Sequence, residues 1–209
     1  MLKTDEIKCS SDYNEYLLLD ATSPIKGICS IVMISTPKKK VLMDASSAII
    51  LAKAGLSSKA CAVYHVIMPP SVFSEVADND KPGAAEYREF ASQGKIEICD
   101  LRSGDKGQPL ISDEKPSFGA GEADLLKLYW AGAGDFLIVY DGAAARYCLR
   151  EKIPFINALL FPRVLEADRV NPAESQRLQQ EILKHGHYAE DVIEFTHCCP
   201  AKELAFFLP

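Results

Sequence analysis

The chain has 209 residues, a formal net charge of −6 and a pI near 5.3, which excludes a broad basic face for duplex DNA. Its hydrophobic content of 48% and charged content of 25% are ordinary for a soluble globular protein, with no apolar run near the ~20 residues of a membrane span. The opening residues, from Met1 to Glu6, are too polar for a signal peptide, and seven cysteines without a C-x-x-C pair point to reduced thiols in a cytoplasm.

Residues 1–40 read as an extension. Two apolar runs, 16–20 and 27–34, flank a turn at Ser23-Pro24 and predict a hairpin. Lys38-Lys39-Lys40 is a short basic linker. The first strong pattern is Val41-Leu42-Met43-Asp44-Ala45-Ser46-Ser47. Three apolar residues run into an acid and then into a helix-period segment, which predicts a buried strand ending at Asp44. A helix through about Ala54 follows, with Gly55 as its stop. Residues 62–68 read as a second buried strand closed by Pro69 and Pro70. A helix then starts at Ser71, with Ser71 as its expected N-cap and Glu75 one turn in.

Residues 82–93 predict an amphipathic helix stopped by Gly94, and 95–101 alternate as a more exposed strand. Residues 102–118 carry several glycines and prolines and form a long loop. Gly119 to Ala131 opens the next helix, with Glu122 and Asp124 near its start. Residues 135–141 form the clearest strand and again end at an acid, Asp141. Residues 142–151 are helical, and 153–157 form a final strand. The remainder is helical, split near Asn171-Pro172 and again at Pro200.

Strands alternating with helices predict a three-layer α/β/α sandwich with a central, mostly parallel sheet. The expected organisation is an extension over 1–40, a domain over 41–170 and a helical extension over 171–209. In such a sheet, carboxylates at the carboxyl ends of strands face the ligand crevice. Asp44, Glu75, Asp124 and Asp141 all fall there. Like charges at one place call for a cation, and oxygen ligands suit Mg²⁺ or Mn²⁺. The chemistry expected is metal-assisted hydrolysis of a phosphodiester. Each acid also has a simpler role as an N-cap or a solvated helix acid. Glu122 and Asp124 lie about 200° apart on a helix. Asp124 is the expected ligand, with Glu122 joining only if the first turn is irregular.

The order of these motifs resembles the PIN domain, the nuclease fold of many prokaryotic toxin ribonucleases. The resemblance rests on Val41-Leu42-Met43-Asp44-Ala45-Ser46, on Met68-Pro69-Pro70-Ser71-Val72-Phe73-Ser74-Glu75-Val76, on Gly121-Glu122-Ala123-Asp124 and on Val139-Tyr140-Asp141-Gly142-Ala143-Ala144-Ala145-Arg146. It implies that Asp44, Glu75, Asp124 and Asp141 bind the metal and that Ser46 supports the first acid or a water. It further implies cleavage of single-stranded RNA with Mg²⁺ or Mn²⁺, a homo-oligomer and an antitoxin partner. The chain departs from the family where many members carry a second acid, since Gly142 follows Asp141.

Arg146 and Arg150, one turn apart, are candidate phosphate contacts. The His185-Gly186-His187 and His197-Cys198-Cys199 stretches fit no closed zinc pattern. Two other readings of the sequence remain. One is a phosphotransfer or phosphatase domain built on Asp44, and the other is a PIN-like interaction module with little activity.

Overall fold

The strands are short, and the apolar residues of the inner ones alternate between two cores, while the edge strand Ile96–Ile98 buries only Ile96. This is why the chain buries both faces of one parallel sheet. A computed structural model describes residues 37–100, 119–166 and 170–208. The expected hairpin and the long loop 102–118 lie outside the described residues.

The strands are β1 (Lys40–Met43), β2 (His65–Met68), β3 (Ile96–Ile98), β4 (Phe136–Ile138) and β5 (Phe155–Ile156). They form one sheet of order β3-β2-β1-β4-β5, and every pairing is parallel. β1 is therefore central. Val41 stands opposite Val66 on one side and Phe136 on the other. Val41 and Met43 enter one core with Val66, Met68, Phe136 and Ile138. Leu42 enters the other with Ile67 and Leu137.

The first core is covered by helices α1 (Ala45–Lys53), α2 (Ser57–Val63), α3 (Pro70–Val76), α4 (Ala84–Ser92), α7 (Phe161–Glu166) and α8 (Pro172–Leu183). The second is covered by α5 (Ala120–Trp130) and α6 (Gly142–Glu151). The described residues thus form an α/β sandwich. α9 (Glu190–Cys198), α10 (Ala201–Leu204) and a 3₁₀ turn at Ala205–Phe207 follow.

The strands expected over 95–101, 135–141 and 153–157 are shorter, Ile96–Ile98, Phe136–Ile138 and Phe155–Ile156, and two further boundaries shift. Residues 62 and 63 belong to α2, not to the second strand: the Tyr64 N–H donates to the Ala60 carbonyl at 2.9 Å, which carries the helix up to its last turn. The strand begins only at His65. The helix after it starts at Pro70 rather than at Ser71, with Pro69 as its cap residue. A proline at the first helical position has no N–H to leave unsatisfied and already holds a helical φ. Ser71 is thereby freed to use its hydroxyl elsewhere.

Gly134 marks a close approach. A Cβ there would lie 2.8 Å from Leu42 Cγ and 3.1 Å from its Cδ1. The turn into β4 therefore presses directly on the central strand. Arg163 serves the far end of α9, where its guanidinium donates to the carbonyls of Thr196, His197 and Cys199. This satisfies carbonyls that a helix end leaves open.

Candidate functional site

The candidate site lies at the carboxyl end of the sheet. Asp44 follows β1 and is only 3% exposed. Its own N–H donates to the Ile138 carbonyl at 3.1 Å, so the β1–β4 ladder runs right up to it. One carboxylate oxygen, Oδ1, accepts the Ser47 N–H at 2.6 Å. That is an N-cap of α1. The other, Oδ2, accepts the Tyr140 N–H at 2.7 Å. Asp44 is thus held between the two adjacent strands by fixed backbone donors.

Burial pushes the Asp44 carboxyl up from 3.8 to about 6, the backbone donors of Tyr140 and Ser47 work against that rise, and the negative charge of Glu122 adds to it. Desolvation disfavours the ionised form more than two N–H groups favour it. A cation would reverse this balance. Cys148, on α6 beneath the same region, is buried, and its thiol is pushed up to about 12 by burial, with the Asp44 charge contributing.

Asp141 follows β4 and caps α6 in the same way that Asp44 caps α1. Its Oδ1 accepts the N–H groups of Ala143 at 2.7 Å and Ala144 at 3.1 Å. The side chain is exposed. It sits one residue beyond Tyr140, the residue that binds Asp44. Gly142 follows it, and the Arg146 guanidinium comes close, with Nη1 3.2 Å from where a Cβ on Gly142 would stand. Arg146 is exposed on α6. Arg150 is one turn away, lies over the Tyr147 ring at 5.1 Å and pairs with Glu151 at 2.9 Å.

Asp124 has two partners on the rim. Ser71 donates to its Oδ2 at 2.9 Å and Lys127 to its Oδ1 at 2.8 Å. Burial opposes ionisation, but these hydrogen bonds outweigh it and hold the carboxyl below its usual range. α3 and α5 meet closely here, since a Cβ on Gly121 would lie 3.0 Å from Val72 Cγ2. Glu75 is exposed, one turn along α3 from Ser71, on the same face of that helix. Glu122 is half-buried; its carboxylate turns back to the Gly119 N–H. Ser46 is exposed, while its neighbour Ser47 is the residue that binds Asp44.

The acids therefore fall into two groups. Asp44 and Asp141 end adjacent strands, and the charge of Glu122 reaches Asp44. Asp124, Ser71 and Glu75 belong to the α3–α5 contact. Among the described residues, no three Asp, Glu, His or Cys side chains form a group that could hold a metal ion by themselves. His185 sits near Glu181 at 3.6 Å. The five described cysteines are free thiols.

Local pattern gave no sign of one further part of the site. The Tyr140 hydroxyl accepts the His187 N–H at 2.8 Å and donates to the His187 carbonyl at 3.0 Å. Tyr188 packs edge-on against the Tyr140 ring, 5.4 Å between centroids. Burial raises the Tyr188 hydroxyl above its ordinary value, and the Tyr140 and Asp44 charges add to this. The segment after α8 thus forms a wall of the site.

Comparison with protein-family models, with curated proteins and with solved structures finds no match. Among the described residues, no helix is long and apolar enough to cross a membrane.

Proposed function

We propose that the chain is a divalent-metal-dependent endoribonuclease that hydrolyses phosphodiester bonds of single-stranded RNA on a PIN-like scaffold. The observation that carries this reading is Asp44. It is a carboxylate buried at the carboxyl end of the central strand, fixed by two backbone donors, with a second acid acting on it. A group held unfavourably charged and dry at a sheet's ligand-binding edge is a marker of function.

The donor set fits Mg²⁺ or Mn²⁺. It is made of oxygens, and Mg²⁺ characteristically keeps several waters and takes one or two carboxylates plus substrate phosphates. A cage of three protein acids is not required. Asp44 and Glu122 would hold the ion, with Asp141 beside them; Asp124 and Glu75 stand by on the α3–α5 rim. Once bound, the ion would supply an activated water and neutralise charge on the phosphoryl group. The chain's own work is to hold Asp44 in one orientation through the N–H groups of Ser47 and Tyr140, to exclude bulk water from it, and to offer Arg146 to a flanking phosphate.

A second reading has one observation in its favour. Asp44 and Asp141 both cap helices, which is a structural use sufficient in itself for a PIN-like module that binds an antitoxin-like partner or another copy without cleaving. The test is Mn²⁺-dependent cleavage of mixed single-stranded RNA by wild type and Asp44→Asn. Cleavage that requires Mn²⁺ and is lost in the variant supports the nuclease. No cleavage, together with no Mn²⁺-induced rise in Tm, which binding to the folded state would produce, leaves the non-catalytic module.

A further inference from the structure

The stretch between α8 and α9 is held more firmly than a connecting loop needs to be. One hydroxyl, that of Tyr140, engages both the N–H and the carbonyl of His187. Those two hydrogen bonds fix the peptide units on either side of this residue. The turn before it is tucked in equally tightly. A Cβ on Gly186 would lie 2.7 Å from Tyr188 Cε2 and 3.2 Å from Ile50 Cδ1, so a side chain there would have to displace the tyrosine ring. Tyr188 anchors the other side by its edge-on contact with Tyr140. Glycine, histidine and tyrosine thus make a rigid strap, joined through Tyr140 to the residue that donates to Asp44.

The His187 side chain is not part of that fastening. It is exposed and makes no hydrogen bond or ion pair among the described residues. A pinned backbone with a free aromatic ring is an inexpensive way to present a flat surface, because little conformational freedom is left to lose on contact. Single-stranded RNA offers unstacked bases that proteins receive on aromatic side chains, histidine among them.

We propose that His187 is a substrate-binding residue whose imidazole stacks on a base of the RNA strand bordering the Asp44 site. This rests on the nuclease reading. It adds a platform supplied by the strap, outside the acids that the chemistry needs. His185 is the natural control: it lies two residues away, half-buried and next to Glu181, and does not share the pinned position.

The test is steady-state cleavage of a short oligouridylate in Mn²⁺ by the full chain, comparing wild type with His187→Ala, His187→Phe, His187→Lys and His185→Ala. His187→Ala is expected to raise KM roughly five-fold or more, the loss of one stacked base, with kcat within about two-fold and Tm little changed, because the side chain is exposed. His187→Phe restores the wild-type KM, His187→Lys does not, and His185→Ala behaves as wild type. An unchanged KM in His187→Ala overturns the inference and leaves the nuclease intact. Rescue by lysine and not by phenylalanine also overturns it, by assigning the position to a phosphate. Absence of cleavage by wild type itself defeats the nuclease reading, and the platform with it.

Discussion

The two ends of the same sheet are built from opposite materials. At the amino end, Tyr64 precedes β2 and Phe136 opens β4, and their rings meet edge-on, 5.2 Å between centroids. Phe207 packs on Phe136 at the same spacing, and Phe161 lies 6.0 Å from Tyr64. The Tyr64 hydroxyl donates to the Phe207 carbonyl, and Lys39 closes over Phe206. At the carboxyl end the strands run out into Asp44 and Asp141, whose carboxylates are engaged by backbone N–H groups rather than by rings or cations. One end is sealed by apolar area. The other keeps a buried charge that weakens the fold. On the proposed nuclease reading, the contrast separates residues that serve stability from residues that serve chemistry, and it can be tested at each end.

The largest effect on stability is expected from Phe136→Ala. Removing a fully buried ring that touches several others should cost about 3–5 kcal/mol, read as a lower denaturant midpoint. Cleavage per folded molecule should survive. Loss of activity at unchanged fold would erase the division between the ends.

Asp44→Asn should do the reverse. The folded Asp44 carboxyl titrates at about 6 against 3.8 for the free group. Its folded value is raised, so its contribution to stability is complete below about pH 4 and is lost as pH rises through about 6. The loss amounts to about 3 kcal/mol, because each tenfold weakening of the acid on folding corresponds to about 1.4 kcal/mol. Wild type should therefore lose stability relative to Asp44→Asn between about pH 4 and pH 6, even though the variant gives up a good acceptor for the Tyr140 N–H. Parallel pH profiles for the two proteins would show that Asp44 is not held dry.

Smaller differences should sort the acids on the rim. Ser71→Ala removes one hydrogen bond to a half-exposed carboxylate and should cost about 0.5–1.5 kcal/mol with little change in cleavage. Glu122→Gln should lower the Asp44 pKa by removing a nearby negative charge and reduce Mn²⁺ affinity; Asp124→Asn should leave both nearly unchanged. If Asp124→Asn abolishes Mn²⁺ binding and Glu122→Gln does not, the α3–α5 group is the metal-binding one. At the bottom of the scale, Arg177→Ala breaks an exposed pair with Glu174 and should leave the thermal midpoint where it was.

How much of this was legible beforehand depended on whether the signal was local. The run Val41-Leu42-Met43-Asp44 announced a buried strand and its acid, because three apolar residues before a cap residue leave few other options. The run ending at Asp141 did the same, and Asn171-Pro172 marked the start of α8 through an asparagine cap and a first-turn proline. The α2–β2 boundary was obscured because Ala62 and Val63 are as apolar as the strand they precede. The partition of Glu122 from Asp124 was not readable from helix angle alone. Capping at Gly119 and the partners Ser71 and Lys127 decide where each carboxylate goes. The strap was invisible because Tyr140 and His187 are 47 positions apart, and a hydroxyl bonding to a backbone leaves no periodic trace.

The bond between Tyr140 and His187 also has a consequence in time. Asp44 leaves the ribosome well before His187, so the strap that walls its pocket follows after roughly ten seconds or more at ordinary rates of elongation. The residues that close the opposite end of the sheet, Phe206 and Phe207, are later still. A nascent chain therefore carries its acids long before it has a finished pocket. On the nuclease reading, the strap is the last of the described site segments to be made.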